Sequence, residues 1–190
     1  RRLESTHRVI RYDRRGYGRS VRHPGPFRIV DHTDDLARII GDRRAAVVGH
    51  SLGGNMALGL AHHHPHQVAA VAVYETPLSW MSWWPKDSSG RQIAASDEDP
   101  SDLAERFLRN MIGNRRWERL PETTRQARRA EGRALVGEMI SVRDEAPWEA
   151  EFIACPLLIG RGELARPHQA EGMQRLAGMV PAAELVTLPG

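Results

Sequence analysis

The sequence predicts an α/β fold, with a parallel sheet flanked by helices and a helical segment inserted between its strands. Three observations carry this. Strand-like and helix-like segments alternate at both ends of the chain, the pattern of a parallel sheet with crossover helices. Val68–Tyr74 is a nearly unbroken apolar run, as in a parallel strand covered on both faces. The stretch from Pro77 to Pro147 has no convincing strand, yet holds Trp80, Trp83, Trp84 and Trp117, four of the five tryptophans.

Taken in order, Val9–Tyr12 is a short β-branched and aromatic run, expected to be a strand, and Gly16 and Gly18 mark the loop after it. Asp31–Ile40 reads as a helix with Asp31 at the N-cap, Asp34 and Asp35 in the first turn and Gly41 at the stop. Ala45–Val48 is a second strand, Leu52–His64 a helix with Pro65 beyond it, and Val68–Tyr74 a third strand. Helices are expected around Leu103–Ile112 and Thr123–Ile140. Pro156–Ile159 returns to strand, His168–Met179 to helix, and Glu184–Leu188 is a last strand. The expected division is a core of residues 1–77 and 147–190 with a helical cap of residues 78–146.

The 190 residues suffice for one domain with a buried core. Formal net charge is +3, but the basic residues alternate with Asp and Glu and lack zinc-finger or RNA-binding signatures, so no nucleic-acid partner is expected. No apolar run reaches 18 residues, so no membrane association is expected. Cys155 is the single cysteine; an internal disulfide is excluded, in keeping with a cytoplasmic location.

Between the second strand and the helix after it stands Gly49-His50-Ser51-Leu52-Gly53-Gly54, a G-x-S-x-G motif at a strand–turn–helix junction. Such a turn holds its serine in a strained backbone region and lifts the hydroxyl above the sheet. Residues 49 and 53 approach closely, so glycine is expected to be needed at both. The Leu52 N–H at the helix start can donate to an oxyanion. Ser51 is therefore the candidate nucleophile; the alternative is a chance match in a turn.

These residues resemble the α/β-hydrolase family. Val9 to Ser20 is similar to the family's strand and loop upstream of the nucleophile, Val47 to Gly54 to its nucleophile elbow, Pro156 to Glu163 to the strand and acid loop after the cap, and Ala183 to Gly190 to its last core strand. The resemblance implies an α/β-hydrolase sheet with a helical cap, truncated at both ends. The family's oxyanion loop would precede Arg1 and its histidine would follow Gly190. It also implies a missing strand between Val9–Tyr12 and Ala45–Val48, hence a gap in the sheet and poor stability for the chain alone.

The family's acid is usually Asp, three residues after a glycine; here Glu163 stands at that offset from Gly160. Glu75, at the end of the third strand, is the alternative acid. His168 lies too near the acid loop to bridge to Ser51, and His50 diverges from its neighbour on a tight turn. His62, His63, His64 and His66 suit a helix C-terminus better than a metal site, and no metal or cofactor is expected. The implied activity is serine hydrolysis of carboxylic esters or related acyl substrates, with a small ester-like molecule as the partner and the oligomeric state left open. This chain alone is expected to be inactive. Two rivals stand beside it: a non-catalytic hydrolase-like binding protein, and cofactor-free perhydrolysis or carbon–carbon bond hydrolysis on the same fold.

Overall fold

The computed structural model describes residues 3–189. Four parallel strands form one sheet in the order β1-β2-β3-β4: β1 (Ala45–His50), β2 (Val68–Tyr74), β3 (Leu157–Gly162) and β4 (Ala183–Leu188). Register pairs Gly49 with Val73, Tyr74 with Gly160, and Gly162 with Leu188, which brings the carboxyl ends of the strands to one edge. Crossovers run through α2 (Leu52–His63) between β1 and β2, and through α8 (Pro167–Met179) between β3 and β4.

Both α2 and α8 bury an apolar stripe on the sheet. Leu58 and Leu60 of α2, Val71 and Val73 of β2, Ile159 of β3, and Met173 and Leu176 of α8 form one core, closed by Trp84 and Trp148. A buried polar clasp joins it: the Asn55 side-chain amide donates to the Pro77 carbonyl (2.9 Å), and the Trp148 indole N–H donates to Asn55 Oδ1 (2.9 Å). Amide and indole thereby satisfy each other where water is excluded.

The helix α1 (Ile29–Ile40) begins two residues before its expected start. Asp31 is not the N-cap; Arg28 is, and the Asp31 carboxylate, at the third helical position, accepts the Arg28 backbone N–H (3.1 Å). Between β2 and β3 lie α3 (Ser89–Ala94), α4 (Pro100–Ile112), α5 (Asn114–Glu118), α6 (Glu122–Ala130) and α7 (Gly132–Asp144). The single helix expected over Thr123–Ile140 is thus two, broken at Glu131–Gly132. A Cβ at Gly132 would sit 1.9 Å from the Pro100 carbonyl oxygen, so α7 starts where its backbone touches the start of α4. A second core, with Ile29, Leu52, Met56, Leu103, Leu135 and Met139, packs this segment over α1 and the start of α2.

Val9–Tyr12 is not a strand, which corrects the sequence expectation. The segment pairs with nothing in the sheet, and Val9 and Ile10 stay exposed. Strand preference is realised through cross-strand neighbours, and here none lies within bonding reach. β1 is consequently an edge: Val48 is 79% exposed, and a cavity of about 400 Å³ lies between the 8–12 segment and β1.

Candidate active site

The elbow is built as its residue types demand. β1 ends at His50, the backbone reverses at Ser51 (φ 54°, ψ −128°), and α2 starts at Leu52. Among the described non-glycine residues, Ser51 and Glu75 alone have positive φ. Such a conformation costs on the order of 1–3 kcal/mol and persists only where the surroundings impose it. At Ser51 the imposing bonds are its N–H donated to the Tyr74 carbonyl (2.9 Å) and its carbonyl accepting the Gly54 N–H (2.8 Å). The Leu52 N–H opens α2 and has no intrahelical partner, so it is free for an oxyanion.

The glycine requirement differs from the expectation at one position. A Cβ on Gly49 would lie 2.2 Å from the Gly53 carbonyl oxygen, and one on Gly54 would lie 1.8 Å from Thr76 Oγ1. A Cβ on Gly53 would meet nothing within 4 Å. Residues 49 and 53 do approach, but through the backbone of 53, so only 49 is sterically bound to glycine. The second obligatory glycine is Gly54, under the buried Thr76.

The two candidate acids both emerge at the carboxyl edge. Glu75 follows β2, next to Ser51 across the sheet; its N–H donates to the Gly160 carbonyl (3.1 Å) and its Oε1 accepts the Gly162 N–H (3.1 Å). Partial burial, with the Glu75 charge beside it, raises the Tyr74 phenol above its ordinary pKa. Glu163 follows β3, two strands from Ser51. Its N–H donates to the Leu188 carbonyl (2.9 Å), which ties the loop after β3 to β4, while its carboxylate is exposed and accepts no hydrogen bond from the described residues. His168 packs edge-on to Trp84 (4.9 Å between ring centres) and does not line the Ser51 cavity. His50 does line it, but its ring is exposed and tilted against Tyr74. His62 stacks on Phe152 and accepts the Glu149 N–H through Nδ1 (3.2 Å). Among the described residues no three His, Cys, Asp or Glu side chains are grouped to hold a metal.

Ser51 opens into a cavity of about 320 Å³. Leu52 and, from α4 and α7, Ala104, Phe107, Leu108, Leu135 and Met139 make its apolar walls; Arg14, Tyr17, Arg128, Glu131 and Glu138 make its polar part. This charged group was not visible in the sequence. Arg14 Nε and Nη2 both donate to Glu138 Oε1 (3.2 and 3.0 Å), and Tyr17 Oη donates to Glu138 Oε2 (2.6 Å). His32 Nε2 lies 3.0 Å from Glu138 Oε1 but outside hydrogen-bond geometry. Glu138 is fully buried, and burial together with its charge holds the Tyr17 phenol far above the ordinary range. Burial works against the Arg14 charge, but Glu138 outweighs it and leaves the guanidinium above its usual pKa. Burial also raises the Glu131 carboxyl, whose oxygens take the Gly18 N–H (3.0 Å) and the Arg128 guanidinium (3.0 Å). The one available signal was Glu138 itself, a carboxylate inside the apolar stripe Leu135–Met139–Val142.

Comparison with known proteins bears on the family and the fold. The α/β hydrolase fold family matches residues 1–131. A Caulobacter segnis protein named carbamate hydrolase RutD is 43% identical over 70 residues, which are 34% of this chain and 26% of that protein. A solved hydrolase from Pseudomonas aeruginosa PA01 superposes with a TM-score of 0.73 at 31% identity, covering 99% of this chain and 74% of its own. The enol-lactonase of Burkholderia xenovorans LB400 superposes at 0.69 with 26% identity, covering 98% and 74%. The chain therefore belongs to the α/β hydrolase fold family.

Proposed function

We propose that this chain carries the nucleophile and acid of a serine hydrolase for carboxylic esters or related acyl compounds, completed by a histidine from outside the described residues. The observation that carries the reading is the strained Ser51 at a strand–helix elbow, opening into a largely apolar cavity. In this reading the outside imidazole takes the Ser51 proton as Oγ attacks the acyl carbon. The Leu52 N–H and a donor from outside the described residues hold the oxyanion, the alcohol leaves, and water releases the acid. Glu163 orients the imidazole and Glu75 is the alternative acid. Helices α3–α7 act as the cap, since the cavity wall over Ser51 is made of α4 and α7 side chains. The names of the similar proteins, an enol-lactonase and a carbamate hydrolase, support an acyl–oxygen or acyl–nitrogen substrate.

The reading is tested by comparing this 190-residue chain with the same chain extended in its gene context, using p-nitrophenyl butyrate and a fluorophosphonate label. Extension is expected to raise Ser51-dependent turnover by roughly 10⁵-fold or more, because loss of a triad base removes on the order of 10⁶. Label is expected on Ser51 of the extended chain and on none of a Ser51→Ala variant. Ordinary esterase rates from the short chain would overturn the outside histidine. An extended chain without Ser51-dependent hydrolysis or labelling would overturn the hydrolase.

A further inference from the structure

The polar part of the cavity beside Ser51 holds two cations, Arg14 and Arg128, of which Arg14, at the border with the cavity beside β1, is the more firmly held. Arg14 keeps 30% side-chain exposure, while its partner Glu138 has none. The fork to Glu138 uses Nε and Nη2 and leaves Nη1 outside it. The Tyr17 ring lies 4.5 Å beneath the guanidinium carbon, so the plane is fixed from below as well as from the side. A donor held in this way needs little reordering when a ligand arrives. The charges around it cancel in pairs: Arg14 with Glu138, and Arg128 with Glu131 at 3.0 Å.

We propose that Arg14 Nη1 is the substrate-orienting donor of this cavity, and that its substrates are uncharged esters or lactones whose apolar chain carries a second, neutral oxygen acceptor such as a ketone. The inference rests on Ser51 being the nucleophile of the same cavity. A neutral acceptor is favoured over a carboxylate for an electrostatic reason. An anion at Nη1 would stand a few ångströms from the buried Glu138 carboxylate, in a site that screens charge poorly. A purely alkyl chain fills the apolar walls but offers Nη1 no acceptor, which is the situation in which polar sites discriminate strongly.

The experiment uses the gene-context chain and three isosteric ethyl esters: ethyl 5-oxohexanoate, ethyl 5-methylhexanoate and monoethyl glutarate. Hydrolysis is followed by proton release, and binding to the Ser51→Ala variant by ligand-observed NMR. The oxo ester is expected to lead the methyl ester by about ten- to hundredfold in both kcat/KM and affinity, with the glutarate last. In Arg14→Met the oxo-to-methyl ratio is expected to fall to near one. Arg14→Met combined with Glu138→Leu removes both charges together, so the ratio can still be read if the single variant folds poorly. A wild-type ratio near one, a ratio that survives loss of Arg14, or a preference for the glutarate would each overturn the inference. Selective binding without any hydrolysis would overturn the hydrolase reading and leave Arg14 as the recognition residue.

Discussion

Two loops meet at the Ser51 cavity, and they are held by opposite means. The elbow, Gly49–Gly54, is fixed by backbone: a strand behind it, a helix ahead, the Ser51 N–H on the Tyr74 carbonyl, and two glycines whose Cβ positions are already occupied. The Asp13–Ser20 loop has no strand behind it. It is fixed by charged side chains: Arg14 and Tyr17 on Glu138 of α7, Arg15 on Asp35 of α1, and the Gly18 N–H on Glu131. The first kind of restraint consists of uncharged backbone bonds and contacts and is indifferent to pH. The second reaches across as many as 124 residues and depends on charge.

The backbone loop should break most sharply. Gly49→Ala places a Cβ 2.2 Å from a carbonyl oxygen that is itself part of the elbow, so no side chain can rotate away. A loss above about 3 kcal/mol is expected in urea unfolding, beyond usual overpacking because the obstacle is backbone. A loss below about 1 kcal/mol would show that the elbow is looser than its hydrogen bonds imply.

The charged loop should break next. Glu138→Leu leaves Arg14 partly buried without its partner, and roughly 3–5 kcal/mol is the expected loss. Combining it with Arg14→Met should recover part of this, because the double variant strands no charge. Strictly additive losses in this double-mutant cycle would mean that the two residues do not hold each other.

This contrast also explains what the sequence disclosed. β2 is found at its expected bounds and α2 within one residue, because apolar continuity, Pro65 and the elbow glycines are local signals. The strained turn at Ser51 was legible from the motif's glycines at a strand–helix junction. Val9–Tyr12 has strand composition but no strand beside it, and composition cannot supply a partner. The break at Gly132 depends on contact with Pro100, and the Arg14–Tyr17–Glu138 group assembles from positions 14, 17 and 138. The first leaves no periodic trace, and the second leaves only Glu138 within the apolar stripe of α7. Gly53 is the reverse case: the motif overstates its need, because the crowded atom is its carbonyl and not its Cβ.

A smaller effect separates the loops by pH. Arg15 donates to both oxygens of Asp35 (2.7 Å each), and this bonding holds the Asp35 carboxyl below its ordinary pKa despite partial burial. A carboxyl whose folded pKa is depressed adds stability above its unfolded value of about 4, and that stability disappears as pH falls through the folded value. Asp35→Asn is therefore expected to cost about 1–2 kcal/mol near neutral pH, and less as the pH drops below ~4. A loss independent of pH would assign Asp35 a packing role instead.

The smallest effect is the most informative about the elbow. Gly53→Ala is expected to be neutral or to stabilise by up to about 1 kcal/mol, since position 53 is in the first turn of α2, its Cβ site is open, and alanine favours helix over glycine. The G-x-S-x-G pattern treats positions 49 and 53 alike, so the pair Gly49→Ala and Gly53→Ala asks which glycine is there for space. If the two lose stability equally, the backbone at 53 must adopt a conformation closed to alanine, and the elbow differs from the one seen here. If 53 tolerates alanine while Ser51 labelling by the fluorophosphonate slows, Gly53 is kept for access to the Ser51 hydroxyl, since Gly53 lines the Ser51 cavity and a methyl there would narrow it.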